Sequence, residues 1–346
     1  LCLYLYFLLY NVCIYYKVEN TDKDITMKIA PVMNYRDFHC MNTNHEYQIN
    51  QKISENKARI TVDGNKILPI YLYSKEGKYI EHQNDTFKNM FYVEEEKRGF
   101  YPEEDLFVPG RYEIDIKANS TKEFTIVCGL EENIEEIDGK VVIQKEKERI
   151  DKIVNASKLV DKKQSKSDQE KMRDLVIASD NFVTYRQKFS LHTIIAGFPW
   201  FLDWGRDTLI SFEGLLLKTK RFEIAKEVLL MMTKDIKYGL VPNGYSGYDS
   251  RPLYNSVDSS LLLIEAVSKY LEYTDDYDFV KNNLYMILKN IIESFQKGIN
   301  VDDSNIFMDK DGLISAGTPE TQLTWMDAKV GNFAVTPRNG KAVELN

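Results

Sequence analysis

Cysteine is scarce in this chain, and the few that occur form no recognisable set. The four cysteines, Cys2, Cys13, Cys40 and Cys128, lie far apart, with no CxxC pair and no Cys/His spacing typical of a metal site. A disulfide-stabilised scaffold is therefore excluded. The cysteine pattern predicts a reduced, cytoplasmic protein that holds no metal.

A long apolar run and an excess of basic charge are also missing. Residues 1–16 are apolar but contain Asn11, and they have neither a positively charged leading segment nor a small-residue cleavage site. This is typical of neither a signal peptide nor a membrane span, and it favours a strand or a misread end, so we expect no membrane partner. With 53 acidic and 45 basic residues, nucleic acid is not an expected partner either.

Apolar content, by contrast, is ample. The chain has 346 residues, of which 43% are hydrophobic, so two ordinary domains with substantial cores are expected. A collagen-like or wholly disordered protein is excluded by this composition. The first residue is Leu rather than Met, which predicts that the sequence is part of a longer protein.

Short strand-like runs separated by turn signals dominate the chain up to about Cys128. The alternation of Tyr112, Ile114 and Ile116 places one face on a core and the other in water, which indicates an antiparallel sheet. We predict an N-terminal β-sandwich domain over 1–130, lacking its own start. The runs that support it are 25–30, 67–73, 86–92, 112–117 and 124–127.

The pattern changes twice after this region. Residues 131–173 are rich in charges of both signs and predict a partly helical linker. From 174 to 346 apolar residues recur at three- and four-residue steps, which predicts packed helices and an all-helical second domain. The stripes are Phe222, Ala225, Val228, Leu229, Met232 and Ile236; Leu261, Ile264, Val267 and Leu271; and Val280, Leu284, Ile287, Leu288, Ile291 and Phe295.

The segments between these helices hold the residues with the most distinctive chemistry. Trp200, Trp204 and Trp325 are the three tryptophans of the chain, and all lie in such segments beside carboxylates and arginines. Aromatic and carboxylate side chains on loops at helix ends are typical of a site for a polar ligand with apolar faces. A sugar is such a ligand, because its C–H face stacks on indole and its hydroxyls pair with carboxylates and arginine.

Several motifs in these segments resemble a known family. GFPWFLDWGRD, YNSVDSSLLLIEAV, LTWMDAKVG and TPRNGKAVELN resemble, in order and spacing, the glucosidase domain of glycogen debranching enzymes, the amylo-α-1,6-glucosidase family. Upstream, KIAPVMNYRDFH is similar to the N-terminal β-sandwich of the prokaryotic members. The resemblance extends from about Asn11 to Asn346.

The resemblance implies an (α/α)6 barrel, the six-hairpin glycosidase fold, after the β-sandwich. It implies inverting hydrolysis of the α-1,6-linked glucose at trimmed branch points, with glycogen or its limit dextrin as partner and no cofactor. Inversion requires an acid and a base about 6.5–9.5 Å apart. The family places its base on a later helix, so we expect it beyond residue 346 and the barrel to be incomplete.

Asp258 matches the family position of the general acid, and Asn255 beside it is a substrate-binding candidate. A structural alternative is a capping box, in which Asn255 is the N-cap and Asp258 the third residue of a helix. A helix N-terminus favours an ionised carboxylate, which opposes the acid role. Burial or a second carboxylate would have to outweigh this effect.

Arg206 and Asp207 in WGRD resemble the pair that holds the released glucose; the alternative is a cap and local ion pair at the start of a helix over 208–217. The remaining substrate-binding candidates have alternatives in ordinary loop packing. They are Trp200, Trp204, Trp325, Asp327, Arg338 and Glu344.

Two other functions remain open for this sequence. A glucoamylase- or trehalase-like α-glucosidase would use a similar barrel and a similar pair of carboxylates. A carbohydrate-binding remnant without catalysis is the second alternative, because the expected base is not among these residues. Neither the oligomeric state nor the preferred glucan length is predicted by the sequence.

Overall fold

The computed structural model describes residues 10–36, 40–43, 48–62, 68–197, 201–246, 251–301 and 304–346. The chain divides into two units, Leu1–Arg149 and Ile150–Asn346. The predicted domain bounds, 130 and 174, lie on either side of this division, which falls within a helix. The prediction for 1–9 lies outside the described residues.

The described part of the first unit is rich in strands, and all its strand pairs are antiparallel. Its elements are β1 (Asn11–Asn20), β2 (Ile25–Ile29), β3 (Ile49–Ser54), β4 (Lys57–Val62), β5 (Ile70–Tyr73), β6 (Lys78–Phe91), α1 (Val93–Lys97), β7 (Glu103–Ile116) and β8 (Ser120–Gly129). One sheet has the order β1-β8-β5-β4-β3, and the other has the order β2-β7-β6.

Both sheets contribute side chains to one hydrophobic core. From β7, Tyr112, Ile114 and Ile116 are all at most 1% exposed, so the predicted alternation is confirmed. From β8, Phe124 stacks on Tyr16 of β1 with ring centroids 4.9 Å apart. Burial of each large apolar side chain contributes about 1.5–3 kcal/mol, so this shared core is what holds the two sheets together.

A buried carboxylate stabilises the start of β7. Glu104 accepts two hydrogen bonds from Arg36, one from the backbone N–H of Asn42 and one from the hydroxyl of Tyr92. Burial by itself raises the pKa of Glu104, but these donors together outweigh burial and lower it to about 2. The carboxylate is therefore ionised at neutral pH.

Helices dominate the chain after β8. They are α2 (Gly139–Ser157), which crosses the division between the units, and then α3 (Lys166–Asp180), α4 (Gly205–Phe212), α5 (Phe222–Met232), α6 (Asp258–Thr274), α7 (Tyr277–Asn283) and α8 (Tyr285–Lys297). A π-helical turn, Glu213–Leu217, continues α4, and a 3₁₀ turn, Val343–Leu345, lies near the end.

Short hairpins lie between these helices and after the last of them. They are β9 (Val183–Arg186) with β10 (Leu191–Ile194), β11 (Gly244–Tyr245) with β12 (Pro252–Leu253), β13 (Phe307–Met308) with β14 (Ile314–Ser315), and β15 (Lys329–Val330) with β16 (Phe333–Ala334). The prediction of an all-helical second domain is wrong in this respect. Strands of two to four residues are too short for hydrophobic periodicity to reveal.

The helices of the second unit pack around one core. Ala225, Val228 and Leu229 of α5 are fully buried, as their spacing predicts. The stripe predicted from Val280 to Phe295 is divided at Leu284 into α7 and α8. The chain thus has a sheet-rich N-terminal unit and a mainly helical C-terminal unit.

Candidate active site

The start of α4 depends on a glycine. Gly205 is the first residue of the helix, and a Cβ atom there would lie 2.7 Å from the carbonyl oxygen of Pro242. The backbone N–H of Gly205 donates to the carbonyl of Asn243 at 2.6 Å. The absence of a side chain at Gly205 therefore brings α4 against the segment that leads into β11.

The start of α6 differs from the capping prediction. Its N-cap is Val257, which has no capping side chain, and Asp258 is its first residue. The capping box with Asn255 as N-cap is therefore wrong. Asn255 is exposed, and the carboxylate of Asp258 turns to Arg206 instead, because a guanidinium is a stronger partner than a backbone amide.

Arg206 lies at the centre of the candidate site. Its side chain is only 10% exposed, its Nε donates to Asp258 Oδ2 at 2.5 Å, and its Nη1 lies 3.3 Å from Asp327 Oδ2. Its Nη2 is buried and has no hydrogen-bond partner in the part of the chain that the structure describes. A buried donor without a partner is costly, which makes it available to an acceptor on a ligand.

Asp207 follows Arg206 and is exposed. It is the third residue of α4, so the helix starts three residues before the predicted position. Desolvation raises the pKa of Asp207, and the negative charges of Asp327 and Asp258 raise it further. Its own backbone amide and Arg206 oppose this shift. One arginine thus faces three carboxylates.

Two of the predicted tryptophans can be located. Trp204 is half-buried, and its ring lies 3.3 Å from where a Cβ atom of Gly244 would be. Trp325 is 57% exposed, two residues before Asp327. Trp200 lies outside the described residues. An exposed indole beside carboxylates is a suitable surface for stacking a sugar ring.

The loop that carries Trp325 and Asp327 is anchored to α6 and to its own end. The backbone N–H of Val257 donates to the carbonyl of Leu323 at 2.9 Å, so the loop lies beside the start of α6. Arg338 and Glu344 form a two-bond ion pair, with Nε to Oε1 at 3.0 Å and Nη2 to Oε2 at 2.5 Å. Both groups of this pair already have partners.

The hydrogen bond from Arg338, assisted by one from Thr324, lowers the pKa of Glu344 to about 2, although partial burial opposes the shift. Thr324 directly precedes Trp325 and is almost fully buried. The Arg338–Glu344 pair therefore supports the loop through the contact between Glu344 and Thr324. The substrate-binding role of Arg338 and Glu344 stays a prediction.

Sequence reasoning missed a second ion pair at this site. Asp203, 4% exposed, accepts two hydrogen bonds from Arg186 of β9 and one from Thr193 of β10. The guanidinium of Arg186 also lies over the ring of Tyr245, 5.1 Å from its centroid. The pair fixes the segment before α4. The available signal was a second acidic residue, Asp203, in FLDWGRD.

The described residues contain no group of three or more His, Cys, Asp or Glu side chains able to hold a metal ion. Within the same residues, no helix has both the length and the apolar character needed to cross a membrane.

Comparison with known proteins places the chain in a family. Residues 177–346 match the family model for amylo-alpha-1,6-glucosidase, and residues 10–123 match the model for the N terminal of glycogen debranching enzyme. These models define a class of glycosidase-type, glucan-processing enzymes. Together they cover most of the chain, which belongs to the glycogen debranching enzyme family.

Two individual proteins are similar over part of their length. The glycogen debranching enzyme of Saccharomyces cerevisiae (strain ATCC 204508 / S288c) is 28% identical, in a region covering 44% of this chain and 14% of the yeast protein. This chain thus spans a small part of that relative. A structure from the human microbiome, assigned as a kojibiose phosphorylase, is 14% identical with a TM-score of 0.40, covering 86% of this chain and 42% of its own.

Proposed function

We propose that this chain carries the acid and the glucose-binding part of the glucosidase site of its family, whose reaction is inverting hydrolysis of the α-1,6-linked glucose at branch points of glycogen or limit dextrin. The general base of that reaction is not assigned among these residues. The observation that supports this most is the buried Arg206 with three carboxylates around it, Asp207, Asp258 and Asp327. The proposed fold is a β-sandwich domain to residue 130, a charged and partly helical linker over 131–173, and the first part of an (α/α)6 glucosidase barrel over 174–346.

Asp258 is the proposed general acid, which protonates the glycosidic oxygen as the bond to the anomeric carbon breaks. A general base, which is not assigned among these residues, takes a proton from the water that adds to the opposite face of that carbon. Arg206 and Asp207 hold the hydroxyls of the released glucose. Arg206 Nη2, which has no hydrogen-bond partner among the described residues, is the proposed donor to one of them. Trp200, Trp204 and Trp325 are the proposed stacking surfaces, and Asn255 and Asp327 further polar contacts.

The proposal is tested on an enzyme that contains both these residues and the general base, with limit dextrin, linear maltooligosaccharides and trehalose as substrates and released glucose as the measurement. We expect glucose from limit dextrin only, and its first anomer, read by proton NMR, should be β because the reaction inverts. Glucose from trehalose or linear chains would instead support the glucoamylase- or trehalase-like alternative.

Asp258→Asn is expected to lower the rate roughly 100- to 10,000-fold, the usual effect of losing a general acid. Asp278→Asn is the matched control, because Asp278 is exposed on α7. A rate in Asp258→Asn equal to that of the control would reject the assignment. Binding of a glucose-like iminosugar without hydrolysis by the wild-type chain would favour the carbohydrate-binding alternative.

A further inference from the structure

A polar cavity lies in the first unit, where β3 of one sheet meets β6 and β7 of the other. It has a volume of about 270 Å³ and is lined by residues 49–51, 81–85 and 108–109. Seven of the lining residues have polar side chains, and none of them belongs to the candidate active site. The cavity therefore calls for an explanation of its own.

A β-bulge forms the outer wall of the cavity. Glu81 of β6 pairs with Gly110 of β7, and Asp85 pairs with Val108, so the three residues between them on β6 lie opposite Pro109 alone. Proline has no backbone N–H to donate to a partner strand, and within sheets it is typically found at edges and bulges. Bulges redirect side chains and are common beside functional sites.

Hydrogen bonds from Gln51 of β3 fix the inner wall. Its Nε2 donates to the carbonyl of Pro109 at 2.6 Å and to that of His82 at 3.1 Å, and its Oε1 accepts from the hydroxyl of Tyr79 at 2.9 Å. Tyr79 is only 5% exposed. One side chain thus connects β3 to both strands of the other sheet, and the cavity is preformed.

The side chain of His82 is held in place as well. Arg111 Nη1 lies 2.7 Å from His82 Nε2, and a guanidinium can only donate, so Nε2 accepts and Nδ1 carries the ring proton. That proton is donated to Asp85 Oδ2 at 2.9 Å. Both ring nitrogens and one oxygen of Asp85 are therefore already engaged.

Unused hydrogen-bonding groups lie at the rim of the cavity. Glu81, Gln83 and Asn84 are exposed, and among the residues that the structure describes their side chains have no hydrogen-bond partner. The two amides present donors and acceptors together, and the carboxylate presents acceptors. A ligand with hydroxyl groups, which donate and accept, matches this set.

Charged ligands match it less well. The carboxylates of Glu81 and Asp85 repel an anion. A metal ion requires several ligands, whereas the described residues contain no group of three or more His, Cys, Asp or Glu side chains able to hold one. The lining thus favours a neutral polyhydroxyl compound.

An exposed aromatic ring lies next along the same strand. Asp85 and Phe87 pair in regular register with Val108 and Leu106, so their side chains project from one face, about 7 Å apart along the strand. Phe87 is 51% exposed, and the C–H face of a sugar can stack on such a ring. A volume just below the usual range of about 300–1,000 Å³ for drug-sized ligands suits a single sugar ring.

We propose that this cavity is a second carbohydrate-binding site, which holds one glucosyl unit of an α-glucan without reacting with it. Gln83, Asn84 and Glu81 bind its hydroxyls, and Phe87 stacks on the ring. The sugar ring is inferred from the cavity alone, whereas the choice of an α-glucan as its source rests on the proposed function.

The test follows binding of maltoheptaose at the cavity itself. The full chain, labelled with ¹⁵N at histidine only, gives at most four backbone amide signals because it has four histidines. The signal of His82 is the one lost in His82→Gln. Its chemical shift is recorded by NMR at increasing concentrations of maltoheptaose, so that binding at other sites does not enter the measurement.

The variants remove rim groups without disturbing the fold. Gln83→Ala changes an exposed residue, and Asn84→Gly removes an amide at a backbone φ of +51°, which glycine adopts readily. Phe87→Leu removes the ring but keeps an apolar side chain. Asn133→Ala is the matched control, because Asn133 is an exposed amide of the same unit that does not line the cavity.

We expect a saturable shift of the His82 signal in the wild type. Its midpoint concentration should rise about 2- to 10-fold in Gln83→Ala and in Asn84→Gly, the effect of one net hydrogen bond. Phe87→Leu should raise it as well, and Asn133→Ala should leave it unchanged.

The absence of a saturable shift in the wild type, or equal midpoints in all five proteins, would overturn the proposal. The same shift produced by calcium chloride without sugar would also do so, because it would indicate a cation site. An equal midpoint with cellopentaose would reject the assignment to an α-glucan. A shift in a chain whose complete enzyme releases no glucose from limit dextrin would support this site and reject the proposed function alone.

Discussion

Arg206 provides one positive charge among three carboxylates, those of Asp207, Asp258 and Asp327. Asp258 and Asp327 contact it directly. Asp207 beside it is an exposed residue whose carboxylate is partly desolvated, which raises its pKa, and the charges of the other two contribute to the shift. A local excess of negative charge favours protonation of a carboxylate, and protonation is what a general acid requires. These contacts span 52 and 121 residues of sequence, so no local pattern could have predicted them.

Glu344 provides a prediction about pH and stability. Because the folded-state pKa of Glu344 is about 2, below its ordinary value of 4.5, its ion pair stabilises the protein fully above about pH 4.5. This contribution is lost as the pH falls toward 2. We expect Glu344→Gln to lower the free energy of unfolding at pH 7 by about 1 kcal/mol, a modest value because Arg338 is partly exposed.

The measurement is urea unfolding of the wild type and Glu344→Gln at pH 7 and pH 3. The difference between the two proteins should be smaller at pH 3, whereas Glu320→Gln, an exposed change in the same loop, should have little effect at either pH. A difference that stays constant between the two pH values would contradict the assigned pKa.

At the scale of elements, the sequence predicted the strands and the helical stripes better than the points where helices begin. Helices α4 and α6 follow Trp204 and Val257, neither of which provides a capping side chain. The usual N-cap signal is therefore absent, and the predicted starts were misplaced. Helix α4 begins where a tertiary contact replaces the cap, whereas at the start of α6 the Ser256 hydroxyl accepts from Ser259 N–H at 3.3 Å. These are the helices that carry Arg206 and Asp258.

Gly205→Ala tests whether the start of α4 is fixed by close packing. The added Cβ would lie 2.7 Å from the Pro242 carbonyl oxygen and 3.1 Å from Ser259 Oγ. Since the nearest atom belongs to the backbone, we expect a loss of about 1–3 kcal/mol in the free energy of unfolding. Gly214→Ala is the control, because nothing lies within 4 Å of its added Cβ, and it should be neutral or slightly stabilising.

Chemical denaturation of both glycine variants measures these changes. Weaker binding of a glucose-like iminosugar by Gly205→Ala alone would show that the displacement reaches Arg206. Equal stability of the two variants would mean that the Pro242 segment moves easily, and that Gly205 does not position α4.

At the scale of the whole molecule, the sequence predicted the change from strands to helices but placed the bounds differently. A charge-rich composition over 131–173 predicted a partly helical linker; α2 and the start of α3 lie in this region, and the division between the units falls at Arg149. Composition reports exposure on average, and an amphipathic surface helix can be as charged as a linker. Val142 and Val154 are buried within α2 despite its charges.

Each unit has a hydrophobic core of its own, and this leads to the last prediction. Ile114→Ala removes a side chain that is 1% exposed in the first core, and Val228→Ala shortens one that is fully buried in the second. The cavity should cost about 2–5 kcal/mol for Ile114→Ala, and less for Val228→Ala because fewer atoms are removed. Hydrogen exchange followed by mass spectrometry reports these losses peptide by peptide, so each unit can be measured separately.

We expect Ile114→Ala to accelerate exchange in β7, β8 and their partner strands, and Val228→Ala to accelerate it in α5 and α6. Peptides from α2 are set aside, since that helix contains residues of both units. Equal acceleration in both units by either variant would show that the chain unfolds as a single cooperative block. In that case unfolding of the β-rich core would also break the contact between Arg206 and Asp258. The candidate site and the sheets would then have the same free energy of unfolding.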